Sequence, residues 1–121
     1  MTCQKIYELA LALMNMSKDD ADYEDATVLG MLQVMANEVL DVSDSIKARG
    51  AGNPSALAAL TDLQDDLPLA DKVCTSVLPY GLAAKLALED DSAMASYWNS
   101  EYHYRAAQYA RPYLRQIESV Y

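Results

Sequence analysis

Six apolar residues, Val28, Leu32, Met35, Val39, Val42 and Ile46, follow one another at spacings of 4, 3, 4, 3 and 4. On an α-helix that alternation draws one stripe; on a strand it would scatter the six over both faces. The seam therefore predicts one long helix, from about Tyr23 to Ala48, that must bury a heptad-like edge against other helices. Leu29, Ala36 and Leu40 widen the seam, so the helix can meet more than one neighbour. Gly50, free to turn left-handed, closes it. Met31 and Met35 read as core filling rather than as cofactor ligands.

The same period recurs along the chain. Ile6, Leu9, Leu13 and Met16 mark a first helix over Cys3–Met16, with Thr2 as its N-cap. Val73, Val77, Tyr80, Ala84 and Leu88 mark a third, from Leu69–Asp71 to Asp90. That stripe passes through Pro79 in "LPYGLAAKLALEDD", and two readings stand. In one, the helix continues and bends, with the carbonyl of Thr75 unpaired, the Thr75 and Ser76 hydroxyls close by, and Gly81 and Ala83-Ala84 leaving room for another helix. In the other, a helix starts at Pro79. A fourth helix follows Asp91 or Ser92 as N-cap, on the stripe Met94, Trp98, Tyr102, Ala106, Tyr109, Tyr113, Ile117 and Val120. Pro112 ends or kinks it.

Between the second and third helices, Gly50, Gly52 and Asn53-Pro54 make a turn-rich loop. The leucines at 60, 63, 67 and 69 after it fit a short helical turn or an extended arm, and Leu67, preceding Pro68, leans to extended geometry. Composition agrees with helices: 52% of the 121 residues are hydrophobic, 22% are charged, Phe is absent, and Gly and Pro number four each. The expectation is a single all-α domain over residues 1–121. It is four-helix bundle-like, with a kinked third helix and an irregular arm or loop around residues 50–68.

No reaction is written into this chain. The single histidine, His103, sits between two tyrosines, without a nucleophile turn or a Glu-x-x-His partner. No phosphate-cradling glycine loop occurs. The carboxylates of "SKDDADYEDA" fail the calcium-loop pattern, because Asp25 and Met31 stand where Gly and Glu are needed. Cys3 and Cys74 have no metal-ligand spacing and read as reduced, partly buried thiols. Catalytic, cofactor and metal residues are therefore expected to be none, and the chain is expected not to be an enzyme. The net charge of −9 repels nucleic-acid phosphates and anionic membranes. The N-terminal apolar run contains Glu8 and lacks a cleavage site, so it is not read as a signal peptide, and no run has membrane-spanning length.

The tyrosines say more. Six of the nine fall in the last quarter, beside Trp98. One row fits the core, but Tyr97 and Tyr104, seven apart, lie toward a second face. Two readings are open: rings capping the core rim in place of the missing Phe, or an interface.

"DLQDDLPLADKV" followed by "LPYGLAAKLALEDDSAMASYWNSEY" resembles the head–tail connector (adaptor, or head-completion) proteins of tailed bacteriophages and prophages. The likeness runs from about Asp62 to Tyr113 and rests on Leu67, Pro68, Pro79, Tyr80, Gly81, Trp98 and Tyr102; the N-terminal half fits only in its helical layout. It implies a structural protein of the virion, or of the host cytoplasm during assembly. Such a protein forms a ring with copies of itself, binds the portal and tail components, and lets DNA pass without sequence-specific contact. It also implies that the irregular segment reaches a neighbour, so that Leu60, Leu63 and Leu67 join Tyr97 and Tyr104 as interface residues. Pro112 and the short tail after it depart from the docking segment such proteins can use. The alternative is a small cytosolic helical interaction module with a regulatory or scaffold role.

Overall fold

The computed structural model describes residues 1–49 and 57–118, and these are all-α. The helices are α1 (Cys3–Leu13), α2 (Asp25–Glu38), α3 (Leu40–Arg49), α4 (Asp71–Ser76), α5 (Leu78–Ala87) and α6 (Ser92–Glu118), with a 3-10 turn at Lys18–Asp20. Among the described residues there is no strand, only one antiparallel bridge between Thr2 and Asp66. Gly50, Gly52, Asn53-Pro54, Val120 and Tyr121 lie outside the described residues.

Two of the expected helices are each divided in two. The Val28–Ile46 seam breaks at Val39, where the backbone leaves helical geometry (φ −104°, ψ 10°). Hydrogen bonds still bridge the break, from the Val39 N–H to Met35 and from the Ser43 N–H to Val39, both at 3.0 Å. The apolar stripe thus survives while the axis turns, and α3 leaves α2 to lie against α6.

The second division settles Pro-Tyr-Gly. Pro79 has no N–H for the carbonyl of Thr75, and the chain breaks two residues earlier, at Val77 (φ −119°, ψ −59°). Helix α5 then starts at Leu78, with Pro79 in its first turn, where a missing donor is harmless. The continuous bent helix is thus corrected in favour of a fresh start. The Thr75 hydroxyl donates backward to the Asp71 carbonyl (2.8 Å) instead of repairing the break.

Of the ten residues of α5, Leu78, Pro79, Gly81, Leu82, Ala83, Ala84, Leu86 and Ala87 are buried. A helix buried over most of its surface belongs at the centre, and α5 touches α1, α2, α4 and α6. Ile6, Tyr7, Ala10 and Leu11 of α1, Val28, Leu32 and Met35 of α2, and Trp98 and Tyr102 of α6 join it in one hydrophobic cluster. The ends of the helices follow local chemistry. Thr2 accepts the Lys5 N–H and Asp91 accepts the Met94 N–H, as expected of N-caps. Asn15 takes φ 58° just past α1, a left-handed position Asn tolerates, so α1 ends at Leu13 rather than Met16. Helix α6 runs through Pro112 to Glu118, so the proline does not end it.

Candidate functional site

Gly81 of the Pro-Tyr-Gly signature stands where three helices meet. A Cβ placed on Gly81 would lie 2.6 Å from Sδ of Met35 and 2.7 Å from Cδ2 of Tyr102. Helices α2 and α6 therefore close on α5 at its glycine, and no side chain fits there. One residue earlier, the Arg105 guanidinium sits 4.1 Å from the ring centroid of Tyr80, a cation–π contact, and Arg105 also pairs with Glu101 at 3.1 Å. Trp98 and Tyr102 are buried. The Tyr102 hydroxyl makes no hydrogen bond of ordinary geometry, and burial, with the Glu38 carboxylate second, pushes its pKa up. The hydroxyl, facing Glu38, is the one weakly partnered polar group in an otherwise apolar junction.

The acidic "DLQDDLPL" segment is not an outstretched arm. The Cys3 N–H donates to the Asp65 carbonyl (3.0 Å) and the Gln4 N–H to the Leu63 carbonyl (2.8 Å), so the loop satisfies donors that the start of α1 leaves open. The Asp65 carboxylate accepts from the Thr61 N–H, the Thr61 hydroxyl and the Asp62 N–H. Those backbone donors, Thr61 first, hold its pKa below the usual value. The Lys47 ammonium donates to the Pro68 carbonyl and the buried Ser43 hydroxyl accepts the Ala70 N–H. Leu63 (6% exposed) and Leu67 (1%) are buried in their own chain, which corrects their reading as interface residues. Leu60 is half-buried, and its N–H is held by the Gln33 side chain. Apolar side chains beside a helix end made a better home inside than on a neighbour.

The tyrosines divide between the two readings. Tyr102 is core and Tyr80 and Tyr109 pack against it, whereas Tyr97 and Tyr104 are each 55% exposed on the outward face of α6. Tyr104 accepts a hydrogen bond from Gln108. His103 is exposed, its ring tilted 5.1 Å from that of Tyr102. Cys3 and Cys74 are free and fully buried; burial raises both thiols, Cys74 to about 11. Among the described residues no cluster of three His, Cys, Asp or Glu is placed to hold a metal ion, and no helix is long and apolar enough to cross a membrane.

A second surface escaped the periodicity because it lies off the seam. Ala26, Gly30 and Val34, four apart on α2, are all exposed, and with Met31 and Lys85 they line a hollow of about 350 Å3. An adjoining cleft of about 370 Å3 shares Thr27, Met31 and Lys85 and runs past Leu88 to Glu89 and Asp90. The signal available was Gly30, a glycine in mid-helix with no turn to make.

Compared with protein-family models, curated proteins and solved structures, the chain matches none.

Proposed function

We propose that this chain is a structural head–tail connector of a tailed phage or prophage, a non-enzymatic subunit of a ring between portal and tail. The observation that carries the reading is the junction at Gly81. Of the residues on which the resemblance rests, Gly81 and Tyr102 meet there although 21 positions apart, Leu67, Pro79 and Trp98 are also buried, and Tyr80 stacks under Arg105 of the same helix pair. A signature kept by packing is what a scaffold needs, whereas a signature kept by chemistry would gather titratable groups in a cleft. On this reading α2–α3 and α4–α5 act as two broken members of a four-part bundle with α1 and α6. The acidic surface, net −9, supports a channel lining past which DNA slides without being gripped.

The test is co-assembly. The chain, mixed with its cognate portal protein, is expected to yield a ring-on-ring complex in native mass spectrometry. A neighbouring gene for no virion component, together with no portal binding, overturns the reading. Recovery of host regulatory proteins as the stoichiometric partners would favour the interaction-module alternative, which the same exposed tyrosines would serve.

A further inference from the structure

Gly30 sits in the middle of α2, where glycine costs about 1 kcal/mol relative to alanine. Nothing in the chain demands it: a Cβ there would find no atom within 4 Å, and its φ is not positive. The glycine keeps a notch open in the row Ala26–Gly30–Val34. Beside it, Val34 is 55% and Leu88 63% exposed. The cleft ends in acid, with Glu89 and Asp90 on its wall and Glu24 and Asp25 at the start of α2. An occupant has to be apolar or aromatic along its length and positive at one end.

Helix α6 has that character. Its outward face presents Tyr97 and Tyr104, seven residues and about 10 Å apart along the axis. Of the 18 acidic residues, only Glu118 lies beyond residue 101, against Arg111 and Arg115, while Arg105 is already paired with Glu101. The rest of the chain is strongly acidic, so α6 is the part of a second copy that this rim attracts rather than repels. Exposed Lys85, at the edge of the notch, suits a tyrosine face. On one molecule the notch and the tyrosine face are different surfaces, so a contact between them is heterologous and repeats head to tail.

We propose that the groove between α2 and the end of α5 receives the tyrosine-bearing face of α6 from a second copy of this chain. The proposal rests on the connector reading only for closure of the array into a ring.

The experiment is sedimentation velocity of the full chain alone, over a concentration series at low and high salt. Concentration-dependent association that weakens with salt is expected. Gly30→Leu, which fills the notch, and the pair Tyr97→Ser with Tyr104→Ser should each weaken it roughly tenfold or more, with unchanged circular dichroism. Glu89→Arg with Asp90→Arg should weaken it too, and mixing that variant with Arg111→Glu/Arg115→Glu copies should restore a mixed complex. A chain that stays monomeric throughout, or one whose association ignores Gly30→Leu and the tyrosine changes, overturns the proposal; so does a groove occupied only by a foreign protein. The connector reading fails separately: self-association through this groove without portal affinity sinks it and leaves the contact standing. Portal assembly that Gly30→Leu does not disturb does the reverse.

Discussion

Two helical glycines, Gly30 and Gly81, stand in opposite circumstances. Gly81 is buried, and any side chain on it would collide with Met35 and Tyr102; Gly30 is exposed and faces empty space. Both lower helix propensity equally, so propensity cannot explain why either is glycine. Around Gly81 the reason lies within the chain: three helices approach through it. Around Gly30 the chain supplies no reason, which moves the search outside the molecule. A glycine becomes informative only once its neighbourhood is known.

The largest expected effect tests the crowded side. Gly81→Ala forces a methyl group to within about 2.6–2.7 Å of Met35 Sδ and the Tyr102 ring. The sulfur can swing aside but the ring is held in the core, so destabilisation of about 3 kcal/mol, the upper end for overpacking, is expected. Urea unfolding followed by circular dichroism measures it. A loss under about 0.5 kcal/mol would mean that the junction yields easily and that the contrast with Gly30 is one of exposure alone.

Alkaline pH should reach the buried side next. Cys74 is fully buried and its thiol is raised from 9.0 to about 11 in the folded chain. The unfolded chain therefore loses this proton first, so stability holds below pH 9 and falls as pH climbs from 9 to 11. The full contribution is about 3 kcal/mol. The Tyr102 phenol, also raised, extends the loss to higher pH. Cys74→Ala should flatten the first part of the slope in pH-dependent urea titrations, whereas substitutions at Gly30 should leave the slope alone. An unchanged slope in Cys74→Ala would remove the thiol as its source.

The open side should respond with the opposite sign. Gly30→Ala adds a methyl group into free space and raises helix propensity, so a gain of about 0.5–1 kcal/mol is expected, read as a higher melting temperature. Any destabilisation would reveal a contact at Gly30 within the single chain and erase the comparison.

What the sequence disclosed follows the same division between local and distant causes. The seam of Val28 to Ile46 and the stripe of Trp98 and Tyr102 are local periodicities, and they located the helices. The break at Val39 left no trace, because Val39 stays on the stripe and its hydrogen bonds persist while the axis turns. Pro79 marked the other break, but periodicity favoured continuity because the apolar stripe runs on through the mostly buried α5. The loop from Leu60 to Leu69 was illegible: what holds it are bonds to Gln33, Ser43, Lys47 and the first residues of α1, far away along the chain. Leu63 and Leu67 looked available only because their partners were out of view. For the candidate surfaces, Tyr97 and Tyr104 were legible as residues off the stripe, while the hollow beside Gly30 needed α5 placed against α2 before it existed.

The smallest expected quantity is a coupling, that between Arg105 and the ring beside Gly81. Arg105 lies over Tyr80 and pairs with Glu101 one turn before it, both pairings at a partly exposed site. Screening leaves the ion pair about 0.3–0.5 kcal/mol and the cation–π contact about 0.5–1. Arg105→Lys keeps the charge but gives up the planar stack, so it should cost less than Arg105→Ala, which should lose about 1 kcal/mol. In the Tyr80→Leu background Arg105→Lys should cost almost nothing, since the ring it fails to stack on is gone, whereas Arg105→Ala should still lose the pair with Glu101; a double-mutant cycle in urea reads this directly. A coupling near zero would mean that Tyr80 and Arg105 merely lie alongside each other, leaving Gly81, and not Tyr80, as the residue of this pair whose identity the packing dictates.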